Sequence, residues 1–262
     1  MELWILLFLG GSLAGILGGL LGIGGGILLL PLLRFIVGLP PAYAAGTCIV
    51  AVLFTSAGGS YRHYKLGHIH YRSLVPVIIA GALSTIVFSV FFLYMTKKSG
   101  WLDLGTGLVF SFVSIRMIIE GVLDIYRKSD DEQGEPEIRG SLSRKITIGG
   151  IAGIFPGLLG IGTGAVLVPS FKFILNTPIK IAVGSSLACF AVNALLSSAV
   201  KLMQGFVDIG ITLPLSIGTL IGANVGARLN KNLPSPVIKI VFGLVFTVVV
   251  LKYFNLFFES VS

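Results

Sequence analysis

The chain contains one glycine-rich apolar stretch twice. The first copy, AGILGGLLGIGGGILLLP, covers residues 14–31, and the second, AGIFPGLLGIGTGAVLVP, covers residues 152–169. The two copies align without a gap at an offset of 138 residues and are identical at 12 of 18 positions. The same offset pairs landmarks further along the chain, namely Pro40 with Pro178, Gly67 with Gly205 and Pro76 with Pro214. Similarity at a fixed offset is the signature of a repeated structural unit, so we interpret the chain as an internal duplication.

The core of each copy, GLLGIGxG, predicts an interrupted helix. A glycine in a helix interior costs about 1 kcal/mol relative to alanine, so several of them within two turns favour a break. We expect the breaks near residues 22–26 and 160–164. Lipid cannot satisfy the backbone groups that a break frees, and paired breaks in two repeats point to the binding site of a transporter. The alternative is that these glycines only let neighbouring helices pack closely.

The composition is that of a polytopic membrane protein. Of the 262 residues, 55% are hydrophobic and only 11% are charged, and the mean hydropathy is +0.97. These values exclude an ordinary soluble domain. We therefore predict a multi-pass protein of the inner cell membrane, surrounded by the lipid bilayer. The formal net charge of +8 resides in short loops, which the positive-inside rule explains better than nucleic-acid binding does.

We predict an all-α polytopic membrane fold with two homologous repeats of four apolar segments each. The first repeat covers residues 1–123, a polar cytoplasmic linker covers 124–145, and the second repeat covers 146–262. The eight apolar segments cover residues 3–37, 43–61, 73–95, 101–123, 146–175, 181–200, 208–227 and 235–258.

The course of the broken first segment of each repeat decides the topology. If both segments cross the bilayer completely, Lys and Arg divide almost evenly between its two sides, about nine against seven. If both are re-entrant, the second repeat is inverted and the division becomes about twelve against five. We favour the inverted arrangement, with both termini outside the cytoplasm. Against it, residues 3–21 alone are long enough to span the bilayer.

Small polar residues recur after each break. The segment after Pro40 contains AAGTCIVAVLFTS, and the segment after Pro178 contains AVGSSLACFAVNA. Hydroxyl and amide groups can replace water around an anion, and helix N-termini offer free N–H groups with a favourable dipole. An anion pocket is therefore easy to build here. The alternative for Thr47 and Ser185 is hydrogen bonding or close packing between helices.

Few charged residues fall within or at the ends of the apolar segments. They are Asp103, Arg116, Glu120 and Asp208. An ionisable residue inside the bilayer is a candidate for function. Arg116 and Glu120 are four residues apart, however, so we expect them to pair on one helix face.

No catalytic or metal-binding pattern is present in the sequence. It lacks GxSxG, HExxH and Walker A motifs. Cys48 and Cys189 are not equivalent in the two repeats and indicate neither a disulfide framework nor a metal site. His63, His68 and His70 lie among arginines without a carboxylate cluster, so we expect a solvated face there. We therefore predict that the protein is not an enzyme and has no cofactor or metal site.

Several motifs occur together along nearly the whole chain. They are the doubled GLLGIGGG and GLLGIGTG, the AGTC and VGSS that follow them, and the late stretch IGANVGARLNKNLPSPVIKIVFGLVF. In combination they resemble the TauE/SafE family of sulfite and organosulfonate exporters. The resemblance implies a secondary transporter of a small sulfur-containing anion. Pro156 and Thr163 stand where the first copy has Gly18 and Gly25, so the implied pocket is not symmetric.

The resemblance and the residues together predict an anion pocket where the two breaks meet near the midplane. Its predicted lining is Gly22, Gly24, Gly25, Gly26, Thr47, Gly160, Gly162, Thr163, Gly164, Ser185, Ser186 and Asn193. Transport is expected to follow alternating access and to be coupled to an ion gradient, with the proton as the candidate ion. Two other classes remain open, namely a channel for a small ion or molecule, and a membrane enzyme or structural subunit.

Overall fold

The computed structural model describes residues 2–97, 99–126, 138, 140–229 and 235–261, and these residues are helical apart from short connections. The helices are α1 Glu2–Leu21, α2 Gly26–Pro31, α3 Pro41–Lys65, α4 Tyr71–Thr96, α5 Ser99–Tyr126, α6 Leu142–Leu158, α7 Gly164–Pro169, α8 Ile179–Met203, α9 Ile209–Leu229 and α10 Ser235–Val261. The described part of the chain contains no strand, which confirms the all-α prediction. Most of the predicted linker, residues 127–137 and 139, lies outside the described residues.

Seven described helices are long and apolar enough to cross a membrane, which confirms the prediction of a multi-pass membrane protein. They cover Glu2–Leu21, Pro41–Lys65, Tyr71–Thr96, Gly100–Leu123, Ile179–Met203, Ile209–Arg228 and Lys239–Glu259. The first and fifth predicted segments are each divided in two, and the count is one fewer than eight because α1 keeps 20 residues whereas α6 is too short to be included. The shorter parts are the apolar helices Gly26–Ile36 and Gly164–Ile174, and α6 has 17 residues.

The two interruptions differ in backbone conformation. Gly22, Gly24 and Gly25 adopt φ angles of 73°, 81° and 75°, which side chains with a Cβ rarely adopt. In the second copy Gly160 has a φ of 69°, but Thr163 has a φ of −81°. The threonine that replaces a glycine there is therefore accommodated without strain, because the chain at that point takes the right-handed conformation.

A proline widens the helix after each break. Pro31 and Pro169 end α2 and α7, and each is followed by a π-helical turn, Leu32–Ile36 and Ser170–Ile174. In these turns the N–H of Val37 donates to Leu32 O at 3.0 Å, and that of Leu175 donates to Ser170 O at 3.1 Å. Proline has no N–H and its ring clashes with the preceding turn, so a local departure from α-helical hydrogen bonding at these positions is expected.

Several pairs of long helices pack closely through glycine faces. A Cβ on Gly11, Gly15 or Gly19 of α1 would contact the backbone of Leu215, Thr219 and Ala223 of α9, respectively, so α1 and α9 are parallel. The corresponding glycines of α6, Gly149, Gly153 and Gly157, lie against Val77, Gly81 and Thr85 of α4, so these helices are also parallel. α3 packs antiparallel to α8, and α5 packs antiparallel to α10. Close backbone approach of this kind is how small residues drive helix association in lipid.

α3 and α8 form the centre of the protein. Two-thirds of the membrane-spanning window of each is buried, 67%, against 17% for the window in α10. The side chains of α3 and α8 therefore face protein on most sides, whereas α10 has its apolar surface available to lipid. Polar groups on α3 and α8 are consequently shielded from lipid on most sides.

Candidate functional site

The two breaks lie directly against each other. A Cβ placed on Gly26 would lie 3.0 Å from the backbone nitrogen of Gly162. A Cβ on Gly164 would overlap the carbonyl oxygen of Gly22 and would lie 2.6 Å from its carbonyl carbon. A Cβ at Gly164 would collide with backbone atoms that cannot move aside, and a Cβ at Gly26 would press on the backbone of Gly162, so both positions favour glycine.

One aromatic ring fills the remaining space between the breaks. The ring of Phe190 on α8 is fully buried. A Cβ on Gly162 would lie 3.4 Å from Phe190 Cε1, and a Cβ on Gly24 would lie 2.7 Å from Phe190 Cδ1. The meeting point of the breaks is therefore closed over a phenylalanine in this conformation. The sequence does not distinguish Phe190, because this residue lies in a run of mostly apolar residues.

Side chains from α3 and α8 cover carbonyl groups that the breaks free. Ser186 Oγ donates to Gly22 O at 3.1 Å, and Cys48 Sγ lies 3.6 Å from Gly26 O. At the end of α6, Ser197 Oγ donates to Pro156 O at 2.6 Å. The last carbonyls of a helix have no partner within the helix. These contacts explain how broken helices persist in a bilayer that offers the backbone no hydrogen bonds.

Lys201 is a buried cation at the same helix end. Its side chain is fully buried, and Nζ donates to Gly157 O at 3.0 Å. Nζ also lies 3.4 Å from the centroid of the Phe92 ring, a cation–π contact. Lys201 thus caps α6 and connects α8 to α4. The one signal for Lys201 in the sequence is the repeat offset, which aligns it with His63, another ionisable residue.

Replacing Lys201 with alanine is expected to lower the free energy of unfolding by about 2 kcal/mol, because the hydrogen bond from Nζ is lost and Gly157 O is left without a donor. Thermal unfolding of the detergent-solubilised protein measures the effect. Lys65→Ala is the matched control, since Lys65 also lies over an aromatic ring, Tyr61, but is exposed. Equal midpoints for the two variants would contradict the role assigned to Lys201.

Arg116 donates a hydrogen bond to a carbonyl group that lacks a helical partner because of a proline. Its Nη1 donates to Ala165 O, four residues before Pro169, where the missing proline N–H would otherwise have donated. Nε of Arg116 also donates to Glu120 Oε1 at 2.6 Å, so the predicted pair on one helix face is confirmed. Arg116 therefore links α5 to the second break, a role that spacing alone did not indicate.

Asp103 pairs with a basic residue beyond the first break. Arg34 in the π-helical turn donates from Nε to Oδ1 at 3.1 Å and from Nη2 to Oδ2 at 2.9 Å. Arg34 Nη1 also donates to Leu39 O at 3.2 Å. The carboxylate and guanidinium side chains are 5% and 18% exposed. This bidentate ion pair links the end of the first broken segment to α5.

The predicted polar residues are engaged to different degrees. Thr163 Oγ1, Ser185 Oγ and Asn193 Oδ1 are buried without a hydrogen-bond partner. Thr47 Oγ1 instead accepts a hydrogen bond from the N–H of Asp208 at 3.0 Å. Gly22 and Gly26 of the first break lie against Gly164 and Gly162 of the second, and Ser186 contacts Gly22. Gly160 lies against Ala45 of α3 instead, and the amide of Asn193 lies beside Gly81 of α4.

Two further polar residues have structural partners. Asp208 Oδ1 accepts from the N–H of Ile211 at 3.0 Å and so caps the start of α9. The expectation of a solvated histidine face is wrong for His63, which is only 1% exposed in the last turn of α3. Its Nδ1 lies 3.1 Å from Nδ1 of His68, because the connection after α3 folds back over that turn. The described residues contain no group of three or more His, Cys, Asp or Glu that could hold a metal ion.

Comparisons with known proteins agree over nearly the whole chain. The family model described as "Sulfite exporter TauE/SafE" matches residues 7–253. A protein of Bacillus subtilis named "Probable membrane transporter protein YunE" is 26% identical over 92% of this chain and 94% of its own length. A "Probable membrane transporter protein" of Xylella fastidiosa is 29% identical over 90% of this chain and 88% of its own. "Sulfite exporter TauE/SafE family protein 1" of Arabidopsis thaliana is 31% identical over 44% of this chain and 26% of its own. No solved structure matches the chain.

Proposed function

Because the chain belongs to the TauE/SafE family and is a membrane transporter, we propose that it moves a small sulfur-containing anion across the bilayer by alternating access. Sulfite and small organosulfonates are the substrate class that the family description suggests. We further propose that transport is export and is coupled to an ion gradient, with the proton as the candidate ion.

The observation that best supports alternating access is that equivalent helices of the two repeats make equivalent contacts with each other. Gly15 of α1 packs on Thr219 of α9, and the residues 138 positions away from these two, Gly153 and Gly81, pack on each other. The pair of α1 with α9 therefore has an equivalent in the pair of α6 with α4. In each pair, the first helix of one repeat packs against the third long helix of the other repeat. This arrangement supports two inverted repeats, the architecture in which one half moves against the other around a shared site.

The contacts within the first broken segment support a re-entrant course. A Cβ on Gly10 would lie 2.8 Å from Leu32 Cδ1, and a Cβ on Gly25 would lie 2.6 Å from Ala14 O. Residues that follow the break thus lie beside residues that precede it. With this course the connection after α3 and the linker share one side, and the positive-inside rule assigns that side to the cytoplasm. Both termini then lie on the other side.

The polar groups near the breaks support the proposal that an anion binds there weakly. Thr163 Oγ1 and Ser185 Oγ are buried hydroxyl groups without partners, and a buried polar group left unsatisfied costs about 1–3 kcal/mol. A substrate oxygen that accepts their hydrogen bonds removes that cost. Phe190 closes the contact in the present conformation, so its ring must move when a substrate passes.

Counterflow in proteoliposomes tests the proposal directly. Vesicles that contain the purified protein are loaded with unlabelled sulfite and diluted into a trace of labelled sulfite under anaerobic conditions. A carrier that alternates between two states exchanges the two pools, so we expect a transient accumulation of label above equilibrium. An imposed proton gradient should change its net direction or extent. Thiosulfate and small sulfonates are compared as competitors.

A channel is the alternative that the experiment separates. A continuous pore passes label down its gradient without accumulation and does not saturate with substrate concentration. Monotonic, non-saturating uptake would therefore contradict alternating access. Absence of uptake for all of the tested anions, from protein that unfolds cooperatively on heating, would contradict the proposed substrate class.

A further inference from the structure

A basic cavity lies apart from the breaks, at one end of the helix bundle. Its volume is about 330 Å³. The described residues that line it include Arg62, His63, His68, Lys180 and Arg228. They come from four separate places, namely the end of α3, the connection that follows it, the start of α8 and the end of α9. The fold therefore gathers basic side chains that are far apart in the sequence.

The charges in this cavity are not neutralised by described carboxylates. No acidic side chain is among its described lining residues, and no ion pair of the described residues involves Arg62, Lys180 or Arg228. Nε of Arg62 is buried and has no hydrogen-bond partner among the described residues. Basic groups that converge on a concave surface without a counter-ion attract anions, and the cavity walls focus the field.

The cavity leads toward the first break. On α8, Val183 follows Lys180 by three residues, which is about 4.5 Å along a helix. A Cβ on Gly22 would lie 3.0 Å from Val183 Cγ1 and 3.1 Å from Val168 Cγ2. Val168, Val183 and Leu187 belong to one buried apolar cluster, which packs against the first break at this point. An anion held at Lys180 is one helical turn from the contact of the two breaks.

The equivalent region of the other repeat is filled, and the one basic residue among its aligned positions, Lys201 at the position of His63, is buried and donates to Gly157 O. The repeat offset aligns Lys180 with Ala42, Arg62 with Val200 and His68 with Phe206. The ring of Phe206 packs edge-on against Tyr43 at 5.7 Å and against Phe92 at 5.6 Å between centroids. The basic cavity is therefore not a consequence of the repeat. It is specific to one side of the protein.

From these observations we infer that the cavity lined by Arg62, Lys180 and Arg228 is a binding site for a small oxyanion such as sulfite, at which the substrate is captured before it reaches the breaks. The inference rests on the proposed transport of an anion. The site lies at the end of α3 that the basic loop assigns to the cytoplasm, so capture occurs on the side from which export begins. His63 and His68 also line it.

Equilibrium binding of radiolabelled sulfite to the full-length protein in detergent tests the site. The double variant Lys180→Gln/Arg228→Gln removes two exposed charges of the lining and should still fold. We expect its affinity for sulfite to fall at least tenfold and to depend less steeply on ionic strength. Arg72→Gln is the matched control, because Arg72 is an exposed arginine in the first turn of α4 outside the cavity.

Each outcome of the binding experiment decides one point. Unchanged affinity in the double variant, or an equal loss with Arg72→Gln, overturns the site. Loss of binding in the double variant together with no counterflow by the wild type supports the anion site and rejects the proposed transport.

A second experiment compares sulfite binding in nanodiscs with and without phosphatidylglycerol. Sulfite binding that disappears when this lipid is present, and returns in its absence, would assign the cavity to a lipid headgroup and overturn substrate capture.

Discussion

Gly164→Ala is expected to abolish sulfite counterflow, with a fall in initial rate of about a hundredfold or more. The added Cβ would overlap the carbonyl oxygen of Gly22 and lie 2.5 Å from Cα of Ile23. Backbone atoms cannot move aside as a flexible side chain does, so the two breaks must separate. A rearrangement of even 1 Å at a positioned site can cost a hundredfold in rate.

Three glycine-to-alanine variants with increasing steric overlap keep this prediction testable even where one of them folds poorly. A Cβ on Gly150 of α6 meets nothing within 4 Å, and Gly150→Ala should transport at the wild-type rate with equal or slightly higher stability. Gly26→Ala places its Cβ 3.0 Å from Gly162 N and should be impaired to an intermediate degree. Counterflow rates and unfolding midpoints are measured for all three variants. Wild-type transport by Gly164→Ala, or a loss in Gly150→Ala, would contradict the assigned contact.

Arg34→Leu is expected to lower the free energy of unfolding by about 3 kcal/mol, because removing one partner of a buried ion pair leaves the other charge uncompensated. Asp103 is only 5% exposed in its side chain, so water cannot replace the two hydrogen bonds from the guanidinium. The change also removes the donor to Leu39 O. Thermal unfolding in detergent measures the loss.

The double variant Arg34→Leu/Asp103→Leu distinguishes a charge effect from lost packing. Replacing both members of a buried pair by apolar residues is often nearly neutral, so the double variant should recover most of the lost stability. A double variant as unstable as Arg34→Leu would show that the guanidinium acts through its contact with Leu39 O or through packing. Lys252→Leu, which removes a cation 5.6 Å from the ring of Phe35 in the same region, is the matched single-charge control.

The interrupted helices were accessible to sequence reasoning because they follow from local backbone preference. Glycine lowers the helix propensity of any segment, and a proline removes one hydrogen bond wherever it lies. The clusters at residues 22–26 and 160–164 therefore predicted where α1 and α6 end without knowledge of any neighbour. The pair of Arg116 with Glu120 was predictable for the same reason, since both residues lie on one helix.

The partners of the polar groups were not predictable from local pattern. Lys201 was passed over because a lysine near the end of an apolar segment is usually exposed, yet here Nζ reaches Gly157 O on another helix. His63 was expected on a solvated face, and it is buried because the connection after α3 folds back onto it. Thr47 was expected to line a pocket, and its hydroxyl accepts the N–H of Asp208. Each of these outcomes depends on which helix lies opposite.

By itself, the sequence determined the membrane environment, the helical class and the positions of the two breaks, because hydropathy, glycine and proline act within a few residues of themselves. The tertiary structure alone decided that the breaks contact each other around Phe190 and that Arg62, Lys180 and Arg228 line one cavity. These residues are separated by up to 166 positions, from Arg62 to Arg228. Only the packing of α3, α8 and α9 brings them together, and no local preference of the chain encodes that packing.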